Sequence, residues 1–73
     1  MKRNGDYIIE QLNYNLAIAK DKPNVIDERN IRLGMGLLNA MLDNSKKYKQ
    51  MDMEKYLGNQ YAMLERKIAA ISQ

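Results

Sequence analysis

Apolar residues recur every three or four positions in three stretches of the chain, and each stretch predicts an amphipathic helix. In the first, over about residues 6–20, one apolar stripe is formed by Ile8, Ile9, Leu12, Leu16 and Ala19. A second stripe, formed by Tyr7, Tyr14 and Ile18, falls on nearly the opposite side at about 100° per residue. A helix that is apolar on two sides requires two neighbours.

Polar residues mark the ends of this first helix. Residues 1–5 form a predicted loose basic tail, and Asp6 is the predicted N-cap because its short carboxylate directly precedes the helical pattern. The segment 20–24 contains the only proline and predicts a break. Asn24 is the predicted N-cap of the next helix, with Asp27 at the third position of a capping box.

The second helix, over about residues 24–44, is apolar around roughly 220° of its circumference. Its apolar positions are Ile31, Leu33, Met35, Leu37, Leu38, Ala40, Met41 and Leu42. So wide a sweep predicts the central, most buried helix of the fold. Gly34 and Gly36 lie inside it, each at a cost of about 1 kcal/mol relative to alanine. Close packing against another helix at Gly34, Gly36 and Ala40 would explain why the two glycines are present. The alternative explanation is close approach of a ligand or of a partner backbone.

The stretch 43–52 leaves two possibilities open. A turn separates the second and third helices, or one helix of about 70 Å runs from residue 25 to residue 71. We favour the turn, because about two helical turns here contain only one apolar residue, Tyr48. The third helix, over about residues 52–72, has a narrow stripe that suits one packing seam, formed by Met53, Leu57, Tyr61, Leu64, Ile68 and Ile71.

These patterns predict an all-α fold, either a small three-helix bundle or a helical hairpin, with residues 6–73 as one domain. A chain of 73 residues buries only about 60% of the surface of its unfolded form. Without cysteine it has no disulfide to stabilise it. We therefore expect a homo-oligomer, most simply a dimer.

Composition argues against catalysis and against metal binding. The chain has neither cysteine nor histidine, and its serines, Ser45 and Ser72, have no neighbouring base in the sequence. Residues 43–54 have the length of a calcium loop, but Lys47 and Tyr48 replace an oxygen ligand and the required glycine. We predict a protein that is not an enzyme, with no catalytic residues, no cofactor and no metal.

One segment combines basic and aromatic residues in a chain of net charge +3. Lys46, Lys47 and Lys49 are candidates for binding an anion, either nucleic acid or a small nucleotide held between subunits, with Tyr48 stacking on a base. Lys2 and Arg3 of the tail would contribute to the same charge. The alternative is a solvated helix end, where lysines face the favourable end of the helix dipole.

The aromatic and sulfur-containing side chains suggest an interface. Five tyrosines and six methionines are the large side chains of a chain without Phe or Trp. Tyrosine suits a half-buried position with a wet hydroxyl, and methionine adapts to irregular surfaces. The candidates for a partner interface are Tyr7, Tyr14, Ile18, Tyr56 and Met63. The alternative is that these residues fill and shield the core of a small bundle.

The sequence favours a small non-enzymatic binding protein that docks on another macromolecule as an inhibitor or adaptor. An anionic-ligand binder and a structural or assembly subunit are the alternatives. Frequent Asn, Lys, Ile and Tyr suggest AT-rich codons, and hence a phage or mobile-element accessory protein with an anti-defence role. We expect a cytoplasmic location, in the bacterial host if the protein is viral, because no stretch resembles a signal peptide or a membrane span.

Overall fold

A computed structural model describes Arg3 and residues 5–22 and 27–71 of the chain. It has three helices, α1 (Asp6–Asp21), α2 (Glu28–Lys47) and α3 (Met51–Ile71). Each helix packs against the other two, and no strand occurs in these residues. The prediction of an all-α fold is confirmed, and the fold is a three-helix bundle rather than a hairpin. Completion by a second copy stays a prediction.

The core lies along the line where the three helices meet. It contains one apolar stripe from each helix, and its buried members are Ile9, Leu12, Leu16, Ala19, Ile31, Met35, Leu38, Leu57 and Leu64. The main stripe predicted for α1 and the seam predicted for α3 both face this core, with every member buried or half-buried. Apolar periodicity therefore identified the inner faces of α1 and α3 correctly.

The prediction that the second helix is the central and most buried one is wrong. Leu33 and Leu37 are large exposed side chains on α2, and Ala40 is exposed as well. Both neighbouring helices pack on the side of α2 that carries Ile31, Met35 and Leu38. No third neighbour among the described residues covers the opposite side, so that apolar face remains in solvent.

The start of α1 also differs from the prediction. Gly5 is the N-cap, with a φ of 91°, and Asp6 is the first helical residue. The Asp6 carboxylate instead accepts hydrogen bonds from the Arg3 backbone N–H at 2.7 Å and from the Tyr56 hydroxyl at 2.6 Å. Glycine suits position 5 because the positive φ strains other residues, and because an added Cβ would lie 3.3 Å from the Leu57 and Met41 side chains.

The second helix begins later than predicted. Asp27 is its N-cap, and the Asp27 carboxylate accepts a hydrogen bond from the Asn30 backbone N–H at 3.1 Å. Aspartate is among the strongest N-cap residues, and this role replaces the predicted one at the third position of a capping box. The predicted cap Asn24 lies outside the described residues.

The predicted turn between the second and third helices is confirmed, although α2 continues three residues beyond the expected end. The turn has the hydrogen bonds of a Schellman motif, from the Gln50 N–H to the Ser45 carbonyl at 2.9 Å and from the Lys49 N–H to the Lys46 carbonyl at 3.2 Å. Lys49 occupies the left-handed position with a φ of 55°, where glycine is usual.

Candidate functional site

An open groove runs between α1 and α2 on the surface of the bundle, with a volume of about 420 Å³. Among the described residues, its lining combines apolar, tyrosine and amide-bearing side chains and includes no charged one. The residues are Tyr7, Ile8, Gln11, Leu12 and Asn15 from α1, with Asn30, Leu33, Gly34 and Leu37 from α2. We call this feature the α1–α2 groove.

The floor of the groove is formed by a close contact between the two helices. A Cβ added at Gly34 would lie 2.8 Å from Cδ2 of Leu12, a distance that real Cβ atoms do not reach. Leu12 is buried, so it has little room to move away. The predicted close packing is therefore made at Gly34, and it fixes the depth of the groove.

Among the described residues, close packing is not made at the two other predicted positions. Apart from the surrounding turns of α2, none of the described atoms lies within 4 Å of a Cβ added at Gly36. Ala40 is exposed four residues further along α2. Both positions face away from the core, on the same side of α2 as Leu33 and Leu37.

The rim of the α1–α2 groove carries three large exposed apolar side chains. Tyr7 is 70% exposed, Leu33 is 61% exposed and Leu37 is 47% exposed. Single exposed apolar residues are normal on soluble proteins, but a contiguous group marks an interaction surface. This group is therefore the best candidate for a functional surface among the described residues.

Three of the five predicted interface residues lie on the outer face of α1. Tyr7 belongs to the groove itself, and Tyr14 and Ile18 follow it along the same helix face and are exposed. They extend the apolar surface along α1 beyond the groove. Through Tyr7, the structure thus brings one end of the second stripe of α1 next to the exposed leucines of α2, a combination that the separate stripes did not predict.

The two other predicted interface residues lie elsewhere, on α3. Tyr56 is half-buried, its hydroxyl donates to Asp6, and the Arg3 guanidinium lies 4.6 Å from the centre of its ring. The hydrogen bond to Asp6, the burial of the ring and the negative charge of Asp6 together raise the pKa of the Tyr56 hydroxyl. Tyr56 thus ties α3 to the start of α1, whereas Met63 is exposed and away from the groove.

The predicted anion-binding residues lie together at the end of α2 and in the turn that follows. Lys46, Lys47, Tyr48 and Lys49 are all exposed, and the Lys47 ammonium lies 5.6 Å from the centre of the Tyr48 ring. Lys46 borders a shallow depression that it shares with Asp52 and Glu54. These carboxylates offset part of the positive charge, and the lysines also face the negative end of the α2 dipole.

The tail residues predicted to add to this positive charge are placed differently. Arg3 packs over the Tyr56 ring rather than joining the lysines, and Lys2 lies outside the described residues. The basic segment is therefore built from α2 and its turn.

The described residues give few groups suited to chemistry. In this part of the chain, no three carboxylates come together in a way that would hold a metal ion. Ser45 is buried, and its hydroxyl donates to the Leu42 carbonyl at 2.7 Å, which leaves it inaccessible as a nucleophile. Ser72 lies outside the described residues.

Leu33 and Leu37 are the functional candidates that sequence reasoning missed. They were assigned to the core of a central helix. The sequence does contain a signal for their exposure. At about 100° per residue, they fall on the side of α2 opposite Ile31, Met35 and Leu38. The three amides of the groove, Gln11, Asn15 and Asn30, carry no signal in the sequence.

Comparisons with protein-family models, with curated proteins and with solved structures give no match to this chain. In the part of the chain that the structure describes, none of the helices combines the length and the apolar character needed to cross a membrane.

Proposed function

We propose that this chain is a small non-enzymatic binding protein that docks on another protein through the α1–α2 groove, as an inhibitor or an adaptor. The observation that carries the proposal is the uncharged groove with Tyr7, Leu33 and Leu37 exposed on its rim. The size and shape of the groove suit the apolar face of a helix, whose anchors recur at three- and four-residue spacing.

The energetics of such docking are favourable. Full burial of a leucine-sized side chain contributes about 1.5–3 kcal/mol, so three partly exposed side chains supply several kcal/mol when a partner covers them. Tyr7 is the expected anchor, because tyrosine is enriched among the residues that dominate binding energy. The contact between Leu12 and Gly34 holds the groove floor in place, which limits the entropy lost on binding.

Specificity is expected from the amide side chains of the groove. Gln11, Asn15 and Asn30 each offer hydrogen-bond donors and an acceptor beside the apolar rim. A partner that leaves them unpaired loses affinity, since an unsatisfied buried polar group costs about 1–3 kcal/mol. The preferred ligand is therefore a helix with an apolar stripe bordered by uncharged polar residues.

Residue usage guides the choice of the first partners to test. The frequent Asn, Lys, Ile and Tyr suggest a low-GC bacterium or one of its viruses. The proposal includes a phage or mobile-element accessory protein that blocks a host defence protein in the bacterial cytoplasm.

The test compares capture of proteins from a low-GC bacterial lysate by three forms of the chain. Wild type and Met63→Lys are expected to retain the same stoichiometric protein, and Leu37→Lys is expected to lose it. Met63 is a matched control because it is 46% exposed, nearly as much as Leu37, and lies on α3. Loss of the protein with Met63→Lys alone would instead place the interface on α3. Retention by all three forms would reject the groove.

A second candidate function is binding of an anionic ligand by Lys46, Lys47, Tyr48 and Lys49. The observation in its favour is the exposure of all four side chains at one end of the bundle. Binding of single-stranded nucleic acid there must weaken steeply with salt, because each neutralised phosphate releases counterions. A mobility-shift titration with wild type and with Lys46→Ala/Lys47→Ala tests this. No shift at low salt, or an unchanged shift in the double variant, would reject it.

A further inference from the structure

We infer that the exposed face of α2 pairs with the same face of a second copy of the chain, in a two-fold dimer that covers the α2 wall of the α1–α2 groove until a target competes for it. This inference rests on the proposed function in one respect, namely that it assigns a form of regulation to the same groove. The dimer itself follows from the size and charge of the residues on α2.

Large and small residues alternate on this face. Leu33, Gly36, Leu37 and Ala40 fall within about 100° of the helix circumference and are exposed or have open space beside them. When two copies of α2 pair antiparallel about a point between positions 36 and 37, residue 33 of one copy meets residue 40 of the other, so each Leu33 packs against an Ala40. The two-fold axis keeps each residue on the same flank of the pair, so the two copies of Gly36 lie side by side on one flank and the two copies of Leu37 pack on each other on the opposite flank.

The small residues also permit a short distance between the two helices. None of the described residues outside α2 lies within 4 Å of a Cβ at Gly36, so there is open space for another helix at this position. Helices with small residues at the contact reach axis separations of about 8 Å, the low end of the usual range. Such an approach brings Leu33 and Leu37 of each copy out of solvent.

The charges at the edge of the face fit the same pairing. A two-fold interface brings equivalent surfaces together, so like charges near the axis would repel. No charged residue lies between Leu33 and Ala40 on this face. At its edge, the same antiparallel register places Arg29 of each copy beside Asp43 of the other copy, on one flank of the helix pair. Both residues are exposed and of opposite charge.

The pairing also removes apolar surface from water. Leu33 and Leu37 are 61% and 47% exposed in the single chain, and burial of apolar surface favours association. Leu33 and Leu37 also line the α1–α2 groove, so pairing of α2 with its copy covers one wall of the groove.

The experiment measures the mass of the full chain by sedimentation equilibrium between about 1 µM and 1 mM. Wild type is expected to shift from monomer to dimer across this range. Gly36→Glu is expected to weaken the dimer by more than about tenfold, because it places two like charges next to the axis. Met63→Glu, a change of an exposed apolar residue on α3, is expected to leave the dimer unchanged.

Folding does not limit this test. Position 36 has open space and glutamate favours a helix more than glycine does, so the Gly36→Glu monomer is expected to be at least as stable as wild type. A charge reversal adds a second measurement. Arg29→Asp is expected to weaken the dimer, and the combination with Asp43→Arg is expected to restore it.

The results separate this inference from the proposed function. Wild type that stays monomeric at 1 mM, a dimer unaffected by Gly36→Glu, or species larger than a dimer would each overturn the inference. Target capture is a separate readout, because Gly36 does not line the groove. If the groove binds a target and the dimer competes, Gly36→Glu captures more target than wild type at high concentration. Equal capture would reject the competition.

Discussion

Leu12 of α1 and Gly34 of α2 are packed so closely that a Cβ at position 34 would stand 2.8 Å from Cδ2 and 3.1 Å from Cγ of the leucine. The contact joins α1 to α2 and forms the floor of the α1–α2 groove. It also explains the presence of a glycine in the interior of a helix, where alanine is favoured by about 1 kcal/mol.

Gly34→Ala is expected to destabilise the fold by about 1–3 kcal/mol, because the clash with buried Leu12 exceeds the gain in helix propensity. Gly36→Ala is the matched control two residues further along α2. Its added Cβ meets nothing, so it is expected to stabilise the fold by up to about 1 kcal/mol. Urea unfolding of the three proteins checks both signs. Stabilisation by Gly34→Ala would contradict the close contact.

Lys49→Gly is expected to stabilise the fold by about 0.5–1 kcal/mol. The φ of 55° at this position costs a residue with a Cβ about 1–2 kcal/mol, part of which glycine loses again through its greater freedom in the unfolded chain. Lys47→Gly provides the contrast, since it removes a side chain from the regular last turn of α2 and is expected to destabilise. Thermal unfolding at equal concentrations measures the difference. A lower midpoint for Lys49→Gly would contradict the left-handed geometry.

The ends of α2 were predicted less accurately than the existence of the helix. The turn after α2 was predicted from a scarcity of apolar residues. Its predicted position lies before the observed one, because the left-handed residue that ends the helix is lysine rather than the usual glycine. The start of α2 was predicted at Asn24, but Asp27 performs the capping. Several short polar residues can cap a helix, and the choice among them depends on tertiary contacts that the local sequence does not contain.

The faces of the helices were predicted unequally well, for a physical reason. Periodicity shows which residues of a helix are apolar on a common side, and this was sufficient for α1 and α3. It does not show how many neighbours the fold supplies. The wide apolar sweep of α2 therefore suggested deep burial, whereas the bundle covers only one side and leaves Leu33 and Leu37 exposed.

Tyr56→Phe is expected to destabilise the fold by about 1 kcal/mol through loss of the 2.6 Å hydrogen bond to Asp6. The effect depends on pH. Because the pKa of Tyr56 is raised above its usual value of 10, the unfolded chain releases this proton at a lower pH than the folded chain does. The contribution of Tyr56 to the free energy of unfolding is thus complete below pH 10, and it decreases as the pH rises further.

The measurement for Tyr56 is unfolding by urea at several pH values from 7 upward. The difference in stability between wild type and Tyr56→Phe is expected to be constant near neutrality and to shrink in the alkaline range. Taking this difference removes the effects of pH on stability that the two proteins share. Tyr48→Phe serves as the control, since the Tyr48 ring is exposed. A difference that grows with pH would contradict the bond to Asp6.

Leu37→Gln and Leu38→Ala test the orientation of α2 with two adjacent leucines. Leu38 is 1% exposed, so its truncation is expected to cost about 2–5 kcal/mol at any protein concentration. Leu37 points to solvent, so Leu37→Gln is expected to change the stability of the monomer by no more than about 0.5 kcal/mol. At high concentration the same change is expected to lower the unfolding midpoint relative to wild type, because a dimer that buries Leu37 gains stability by mass action. Midpoints recorded over a hundredfold range of concentration distinguish the two effects. A large, concentration-independent loss with Leu37→Gln would place this side chain in the core after all.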